Sequence, residues 1–222
     1  MVDGMAITPR NGKAVEINAM WYNALRIMES LSNKFKNEYE KTCNTLAEKC
    51  YKSFNEKFYN KKKKCLYDVI GKDEIRPNQL FAISLTYPII DDDKLAVEMF
   101  ETVKDKLYTK YGLKTLAKGE HGYMDKYEGD NYSRDLSYHN GIIWPWLLGP
   151  YYDGLSYLIS IEKRKTKKAE LENIYKELIE ELKETFANLN AIPELYDSTK
   201  TGKGAFNQAW SVGEILRILL CE

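Results

Sequence analysis

The sequence predicts an all-α protein of about seven helices, and two observations carry that prediction. Apolar residues recur at spacings of three and four in seven segments, which is the periodicity of a helix face. Most of the remaining chain falls in two long segments without that periodicity. Because a domain holds roughly 100–200 residues, the 222 residues are expected to form a single domain over 1–222.

Each helix is predicted from its own apolar stripe. The first, over 15–32, has one face made of Ile17, Trp21, Leu25, Met28 and Leu31. The second is predicted over 37–60, and a short buried helix over 78–85 lies between two prolines. The other four are predicted over 91–108, 144–162, 165–186 and 207–220.

Charge and hydropathy exclude several classes of function. Lysine and arginine number 33, as do aspartate and glutamate, so the chain lacks the basic excess of a nucleic-acid-binding protein. No apolar run approaches the ~20 residues of a membrane span. The first residues have neither the basic nor the apolar region of a signal peptide. We therefore expect a cytoplasmic protein that binds neither nucleic acid nor membrane.

Cysteine and histidine are too few and too scattered to predict a metal site. Of the four cysteines only Cys43 and Cys50 are close, and the chain has two histidines. Free thiols are the favoured interpretation. A disulfide remains the alternative because 27 lysines and 21 glutamates against two glutamines resemble the composition of heat-adapted proteins.

The two aperiodic segments, 111–141 and 188–206, are predicted to form the walls of a site. Loops beyond about 12–15 residues are usually functional or disordered. The first segment is rich in tyrosine and glycine and contains both histidines, which disfavours disorder.

Amides, an imidazole, a guanidinium and indoles are concentrated in short polar-aromatic strings. Hydroxyl groups of sugars need paired donors and acceptors, and sugar rings stack on indoles. Sugar recognition is therefore one interpretation, and core aromatics with amides that cap helices are the other. The candidate substrate-binding residues are Arg76, Asn78, Gln79, His139, Trp144, Trp146, Gln208 and Trp210.

The strings over 8–25, 76–79, 134–141, 144–146 and 208–217 resemble the catalytic domain of the glycogen debranching enzymes. They follow the order of that family and cover nearly the whole chain. The resemblance implies an amylo-α-1,6-glucosidase with an (α/α)₆ toroid, whose substrate pocket is formed by loops at one end. With about seven helices, this chain would form part of such a toroid.

The resemblance also assigns the catalytic carboxylates. Asp3 corresponds to the general acid, although Val2 stands where the family has methionine, and Glu194 corresponds to the general base. The implied reaction is inverting hydrolysis of α-1,6 branch points in glycogen or limit dextrin, with release of glucose. It needs no metal and no organic cofactor. Inversion would place the two carboxyl groups ~6.5–9.5 Å apart.

A complete toroid has twelve helices, so we expect this chain to lack the helices that precede the catalytic domain in the family. The chain is expected to be one part of a split enzyme with a separate N-terminal half, a truncated copy, or a partial toroid that associates as a homo-oligomer. Two other functions remain open. One is a non-catalytic glucan-binding or assembly subunit, and the other is a related glycosidase acting on α-1,4 or other links.

One further motif has a structural and a functional interpretation. Asp91, Asp92 and Asp93 precede a predicted helix. Similar triplets hold diphosphate and metal in prenyl-handling helical enzymes, but acids at this position also cap a helix N-terminus. Capping is the favoured interpretation.

Overall fold

The computed structural model describes residues 4, 6–90, 92–186 and 190–221, and over these ranges the protein is mostly helical. Eight α-helices and seven short strands occur in these ranges. The helices are α1 (Val15–Phe35), α2 (Glu40–Lys57), α3 (Phe81–Ser84), α4 (Asp93–Leu107), α5 (Asn131–His139), α6 (Leu148–Ile161), α7 (Lys165–Phe186) and α8 (Ala209–Leu220). The strands are β1 (Tyr59–Asn60), β2 (Cys65–Leu66), β3 (Tyr108–Thr109), β4 (Gly112–Lys114), β5 (Ile143–Trp144), β6 (Leu195–Tyr196) and β7 (Gly202–Lys203).

The helices pack in two layers. Helix α1 packs on α3, α3 on α6, and α6 on α8, and we call these four helices the inner row. Helix α2 packs on α1, α4 packs on α6, and α7 packs on both α6 and α8, so α2, α4 and α7 form the outer row. The core lies between the rows, where each helix buries its apolar face.

Glycines on α6 allow the inner row to pack closely. A Cβ atom at Gly154 would lie 2.9 Å from Cδ1 of Ile83 on α3, and one at Gly149 would collide with Oε2 of Glu214 on α8. An alanine at Gly154 would require Ile83 to shift, and one at Gly149 would require the Glu214 side chain to move.

All seven predicted helices are present, two of them preceded by a 3₁₀ turn. The turns are Pro77–Leu80 before α3 and Pro145–Leu147 before α6. Each begins with proline, whose fixed φ suits the first position of a helix. The cap interpretation of the acidic triplet is confirmed for Asp92, whose side chain accepts from the backbone N–H of Lys94 and Leu95. Asp91 lies outside the described residues.

The prediction of an all-α protein is wrong in one respect, because strands β3 to β7 form a five-stranded antiparallel sheet in chain order. A separate hairpin joins β1 and β2. Strands of two or three residues are too short to show an alternating pattern, so no sequence signal predicts them. The sheet connects the two long segments, since Ile143 of β5 pairs with Tyr196 of β6.

Helix α5 lies inside the segment 111–141 that was expected to be irregular. Its nine residues are mostly polar and form no apolar stripe, and Ser137 alone among them is buried. The helix begins at a side-chain cap, in which Asp130 accepts from the backbone N–H of Ser133 at 2.8 Å.

Helix α1 is apolar on two sides. Its buried side consists of Val15, Ala19, Tyr22, Leu25 and Ser32. The stripe that periodicity identifies in the sequence lies mostly on the other side, and of its five members only Leu25 is buried. The sequence shows which side is apolar but not which side the rest of the chain covers.

The structure also describes the cysteines and the length and hydropathy of the helices. All four cysteines lie in the described part of the chain and are free thiols. Among the described helices, none is long and apolar enough to cross a membrane.

Candidate active site

A cavity of about 570 Å³ opens at the N-terminal ends of the inner-row helices. The lining residues come from the segments that lead into α1, α3 and α6, from the first turn of α8, and from α5. They are Ala6, Ile7, Thr8, Arg10, Arg76, Pro77, Asn78, Thr115, Asp135, Tyr138, His139, Trp144, Trp146, Leu147 and Trp210. Each inner-row helix thus delivers its preceding loop or first turn to one shared cavity.

Indole rings form one wall of the cavity. Trp146 and Trp210 stack face to face, with ring centroids 3.9 Å apart and an interplanar angle of 18°. Trp144 meets Tyr138 edge to face at 4.5 Å, and its ring N–H donates to the Tyr138 carbonyl at 3.2 Å. Broad apolar ring faces next to polar groups are the surface on which a sugar ring stacks.

Arg76 holds another part of the cavity wall together. Its buried guanidinium donates to the carbonyl oxygens of Thr115 and His139 at 3.1 and 2.7 Å, and to Oδ1 of Asn140 at 2.8 Å. Burial lowers the pKa of Arg76 from its ordinary value, and the nearby Asp68 opposes that shift. Because three protein acceptors occupy its donors, Arg76 fixes the shape of the cavity.

A second network anchors the segment that precedes α1. Arg10 pairs with Glu16 through Nη1 at 2.6 Å and with Asp68 through Nε at 2.6 Å. Asp68 also accepts from the side-chain amide of Asn78 at 2.9 Å. These contacts bring the segment before α1 and the turn before α3 to the same edge of the cavity.

His139 and Asp135 place a weakly basic group and a carboxylate on the cavity wall. Their side chains lie one helical turn apart on α5, with Nε2 of His139 3.9 Å from Oδ1 of Asp135. Burial lowers the pKa of His139 below its ordinary value, Asp135 opposes that shift, and the positive charge of Arg76 adds to it. The lowered pKa favours the neutral imidazole, which has one ring nitrogen that can accept a hydrogen bond.

Glu194 is not among the residues that line the cavity, but it is hydrogen bonded to Tyr138, which is. The Tyr138 hydroxyl donates to Oε1 of Glu194 at 2.5 Å, and the backbone N–H of Ala205 donates to Oε2 at 2.9 Å. Gly204 has φ +71°, and a Cβ atom there would collide with Oε2. Two donors and a close glycine thus hold this carboxylate in one orientation beside the cavity.

The hydrogen bond to Glu194 also affects the pKa of the Tyr138 hydroxyl. Burial raises the pKa of Tyr138, and the hydrogen bond and negative charge of Glu194 raise it further. Tyr138 is therefore a hydroxyl donor throughout the neutral range.

With this geometry established, comparison with known proteins identifies the family. The family model described as amylo-alpha-1,6-glucosidase matches residues 1–217. The chain belongs to the amylo-alpha-1,6-glucosidase family. No protein with a curated description matches it.

Solved structures share the fold at low sequence identity. A GH63 mannosylglycerate hydrolase from Thermus thermophilus, in complex with Tris, has a TM-score of 0.61 and 13% identity, and the match covers 94% of this chain and 45% of that one. The same hydrolase with Tris and D-glycerate gives 0.63 and 12%, covering 94% and 46%. An uncharacterized conserved protein from that organism gives 0.62 and 14%, with coverage of 94% and 46%. The chain therefore spans less than half the length of these structures.

In this member of the family, six of the eight predicted substrate-binding residues line the cavity. They are Arg76, Asn78, His139, Trp144, Trp146 and Trp210. Arg10, Asp135 and Tyr138 also line the cavity; they lie in strings that carried the resemblance but were given no role. Thr115 was also missed, because only the folded chain brings it to the cavity.

The two glutamines are not brought to the cavity. Gln79 is buried, and its amide donates to the Arg76 carbonyl at 2.8 Å and accepts from the Leu66 N–H at 3.0 Å. Gln208 caps α8, where its side chain accepts from the Ser211 N–H at 2.8 Å. For these residues, the cap and buried-amide interpretation describes the observed contacts.

The predicted acid, Asp3, lies outside the described residues. The segment that follows it does reach the site, since Ala6, Ile7 and Thr8 line the cavity. Among the described cavity residues, Asp135 is the one with a carboxylate. No group of three or more potential metal ligands occurs in the part of the chain that the structure describes.

Proposed function

We propose that this chain hydrolyses the α-1,6-glucosidic branch points of glycogen and limit dextrin and releases glucose with inversion at the anomeric carbon. The observation that carries the proposal is the cavity itself. Stacked indoles form one of its walls, and next to it Tyr138 holds the Glu194 carboxylate. Family membership supports glycoside hydrolysis as the reaction. Because glycogen is an intracellular store, we also propose a cytoplasmic location for the chain.

In the proposed reaction Glu194 is the general base and Asp3 the general acid. Asp3 gives its proton to the glycosidic oxygen, and the bond from that oxygen to the anomeric carbon breaks. A water molecule attacks the anomeric carbon from the opposite side, and Glu194 accepts its proton. The products are glucose of inverted configuration and the shortened glucan, so no cofactor is needed. Tyr138 and the Ala205 N–H fix the orientation of the Glu194 carboxylate.

The remaining cavity residues have proposed roles in binding. The stacked pair of Trp146 and Trp210 offers an apolar face to a glucose ring. The neutral imidazole of His139 accepts from a sugar hydroxyl, and Asp135 accepts from another. Arg76 and Asn78 act indirectly, since both are already bonded to protein groups around the cavity.

We also infer that the inner and outer rows are an arc of an (α/α)₆ toroid. The alternation of inner and outer helices along the chain supports this arrangement, as does the cavity at one end of the inner row. The structural neighbours support it through their greater length, because the aligned region covers only 45–46% of each.

The small share of each structural neighbour that this chain covers also supports a second candidate function. A chain that spans less than half of its structural neighbours can retain the sugar-binding wall without a complete catalytic site. That candidate is a glucan-binding subunit that does not turn over substrate.

The test is a substrate panel with analysis of the product anomer. Purified protein is assayed with branched limit dextrin, an isomaltose-type α-1,6 oligosaccharide, maltose and mannosylglycerate, and the product is followed by proton NMR. The proposal predicts glucose from the α-1,6 substrates, appearing first as the β-anomer. Faster release from maltose would favour α-1,4 activity, and binding without release would favour the glucan-binding subunit. Absence of binding to any glucan would contradict both candidates.

A further inference from the structure

A second cavity lies across the five-stranded sheet from the candidate active site. Ile143 of β5 lines this second cavity, and the next residue, Trp144, lines the active-site cavity. Successive residues of a strand point to opposite faces of a sheet. Lys114 of β4 pairs with Ile143 and lines the same cavity, whereas Thr115 lines the active-site cavity. The sheet therefore separates the two cavities.

Lysine is the most frequent residue in the lining of the second cavity. Four of the twelve lining residues are lysines, whereas the whole chain has 27 lysines in 222 residues. We call this cavity the lysine pocket, after Lys110, Lys114, Lys118 and Lys200. Its volume is about 380 Å³. Sites for small molecules are typically clefts of ~300–1,000 Å³, so the pocket has room for one.

The positive charge of the lysine pocket is not offset by the protein. Within the described ranges, none of its four lysines forms an ion pair with a carboxylate. The lining contains two carboxylates, those of Asp125 and Asp197. Asp197 already faces a different lysine, with its Oδ2 3.9 Å from Nζ of Lys203. Four ammonium groups therefore share the carboxylate of Asp125.

The fold brings these lysines together from separate parts of the chain. They come from the turn between β3 and β4, from β4 and the loop after it, and from the turn between β6 and β7. Asp197, which is 4% exposed, holds the last turn: its carbonyl accepts from the Lys200 N–H at 2.9 Å, and its Oδ1 accepts from the Thr199 N–H at 2.9 Å. Because like charges repel, a cavity lined by one sign of charge attracts an ion of the opposite sign. The lysine pocket therefore has the electrostatics of an anion site.

Hydroxyl groups lie among the lysines. Tyr111, Tyr123 and Ser198 line the pocket, and their hydroxyls make no hydrogen bond within the described chain. The ring of Tyr111 packs on that of Tyr196, with centroids 4.8 Å apart, so its position is fixed. Hydroxyls that both donate and accept, next to the acceptor carboxylate of Asp125, suit a ligand that carries several hydroxyl groups of its own.

We propose that the lysine pocket binds a phosphorylated hexose, at a site distinct from the catalytic cavity. The phosphate lies among the lysines, since ammonium groups bind phosphate as point charges. The sugar hydroxyls pair with the tyrosine and serine hydroxyls and with Asp125. A neutral sugar would leave the four positive charges without a counterion. A nucleotide base would need an apolar slot, and Ile143 is the one aliphatic side chain among the lining residues.

The test is isothermal titration calorimetry of the wild-type chain with glucose 1-phosphate, glucose 6-phosphate, mannose 6-phosphate, inorganic phosphate, glucose and AMP. At least one hexose phosphate should bind roughly tenfold or more tightly than inorganic phosphate and than glucose, because only it contacts both parts of the pocket. Binding of none of the three hexose phosphates would overturn the proposal. So would inorganic phosphate, glucose or AMP binding as tightly as the best of them.

Substitutions locate the binding. Lys114→Ala and Lys200→Ala each remove a charged donor and should weaken the hexose phosphate by roughly tenfold or more. The matched control is Lys49→Ala, which removes the same charge from the exposed side of α2 and should leave the affinity unchanged. Equal weakening by all three would overturn the proposal, because it would indicate attraction to the net charge. Far-UV circular dichroism checks that each variant stays folded.

A second measurement needs no substitution and covers the case of a variant that misfolds. Amide hydrogen exchange of the wild type is compared with and without the hexose phosphate that binds best. The ligand should increase protection over 109–118 and 197–200, the segments that carry the lysines. Protection confined to 6–10 and 144–147 would overturn the proposal, because it would place the ligand in the active-site cavity. Both readouts measure binding, so they are independent of glucan hydrolysis.

Discussion

Tyr138 is the residue that connects the cavity to the proposed base. Its ring lines the cavity, and its hydroxyl donates to Glu194 at 2.5 Å. Hydrogen bonds to a charged acceptor contribute about 1.5–3 kcal/mol, roughly twice the contribution of neutral ones. Orientation of the carboxylate therefore depends strongly on this one hydroxyl.

Tyr138→Phe tests that dependence. Loss of about 1.5 kcal/mol of orienting interaction predicts a kcat at least about tenfold lower, with KM changed much less because the ring remains. Steady-state kinetics with limit dextrin gives both constants. Tyr127→Phe removes a hydroxyl from the ring packed 6.1 Å away and serves as the control. A Tyr138→Phe enzyme with wild-type kcat would show that the hydroxyl is dispensable.

His139 gives a prediction about pH. Burial lowers its pKa in the folded protein, so the neutral form is favoured there. The stability that this supplies is present above the ordinary value, ~6.5, and is lost as pH falls through the folded pKa. Proton NMR titration of the imidazole, assigned with His139→Gln, should give a pKa below ~6.5. A pKa at or above that figure would mean that the negative charge of Asp135 raises the pKa by more than burial lowers it.

Residue chemistry alone predicted part of the site. The indoles of Trp144, Trp146 and Trp210 and the imidazole of His139 line the cavity, where sugar recognition would require them. The two glutamines predicted to bind substrate do not line the cavity. Gln79 and Gln208 satisfy backbone N–H groups, and nothing in one sequence distinguishes an amide that binds a sugar from one that braces a turn.

At the scale of elements, the closeness of α3 and α6 depends on Gly154. A Cβ atom there would come within 2.9 Å of Cδ1 of the buried Ile83, whereas at Gly213 of α8 nothing lies within 4 Å. Replacing glycine by alanine inside a helix otherwise stabilises it by about 0.8–1 kcal/mol.

The two alanine substitutions should therefore change the free energy of unfolding in opposite directions. Gly213→Ala should raise the free energy of unfolding by up to about 1 kcal/mol. Gly154→Ala should lower it, because overpacking typically costs about 1–3 kcal/mol. Thermal unfolding followed by circular dichroism measures both. Equal stabilisation by the two would show that α3 and α6 are not tightly packed against each other.

The elements that the sequence predicted best are those with a long stripe. Helix α7 was predicted over 165–186 and is found as Lys165–Phe186. Helix α5 was missed because its nine mostly polar residues form no apolar stripe, and its cap at Asp130 is a weak signal alone. The two-residue strands are held by pairing partners far along the chain, which local pattern does not reveal.

At the scale of the whole molecule, the inner row explains why the site residues are scattered in sequence. Each helix of the row delivers its N-terminal segment to the same cavity, so residues 6–10, 76–78, 144–147 and 210 become neighbours. The resemblance to debranching enzymes predicted this set of strings. Their three-dimensional order follows from the packing of α1, α3, α6 and α8.

The sharpest test of the proposed hydrolysis is the initial rate of glucose release from branched limit dextrin by the wild-type chain and by Glu194→Gln. Glutamine keeps the size of the side chain but cannot accept the proton of water, so the rate should fall by about a hundredfold or more. Glu172→Gln, on the exposed side of α7, should match the wild type. Release by the wild type that is lost in Glu194→Gln, with glucan binding retained, is the expected result. Equal release by the two, or no release by the wild type at any concentration, would contradict the proposed role of this chain as a glucosidase with Glu194 as its base.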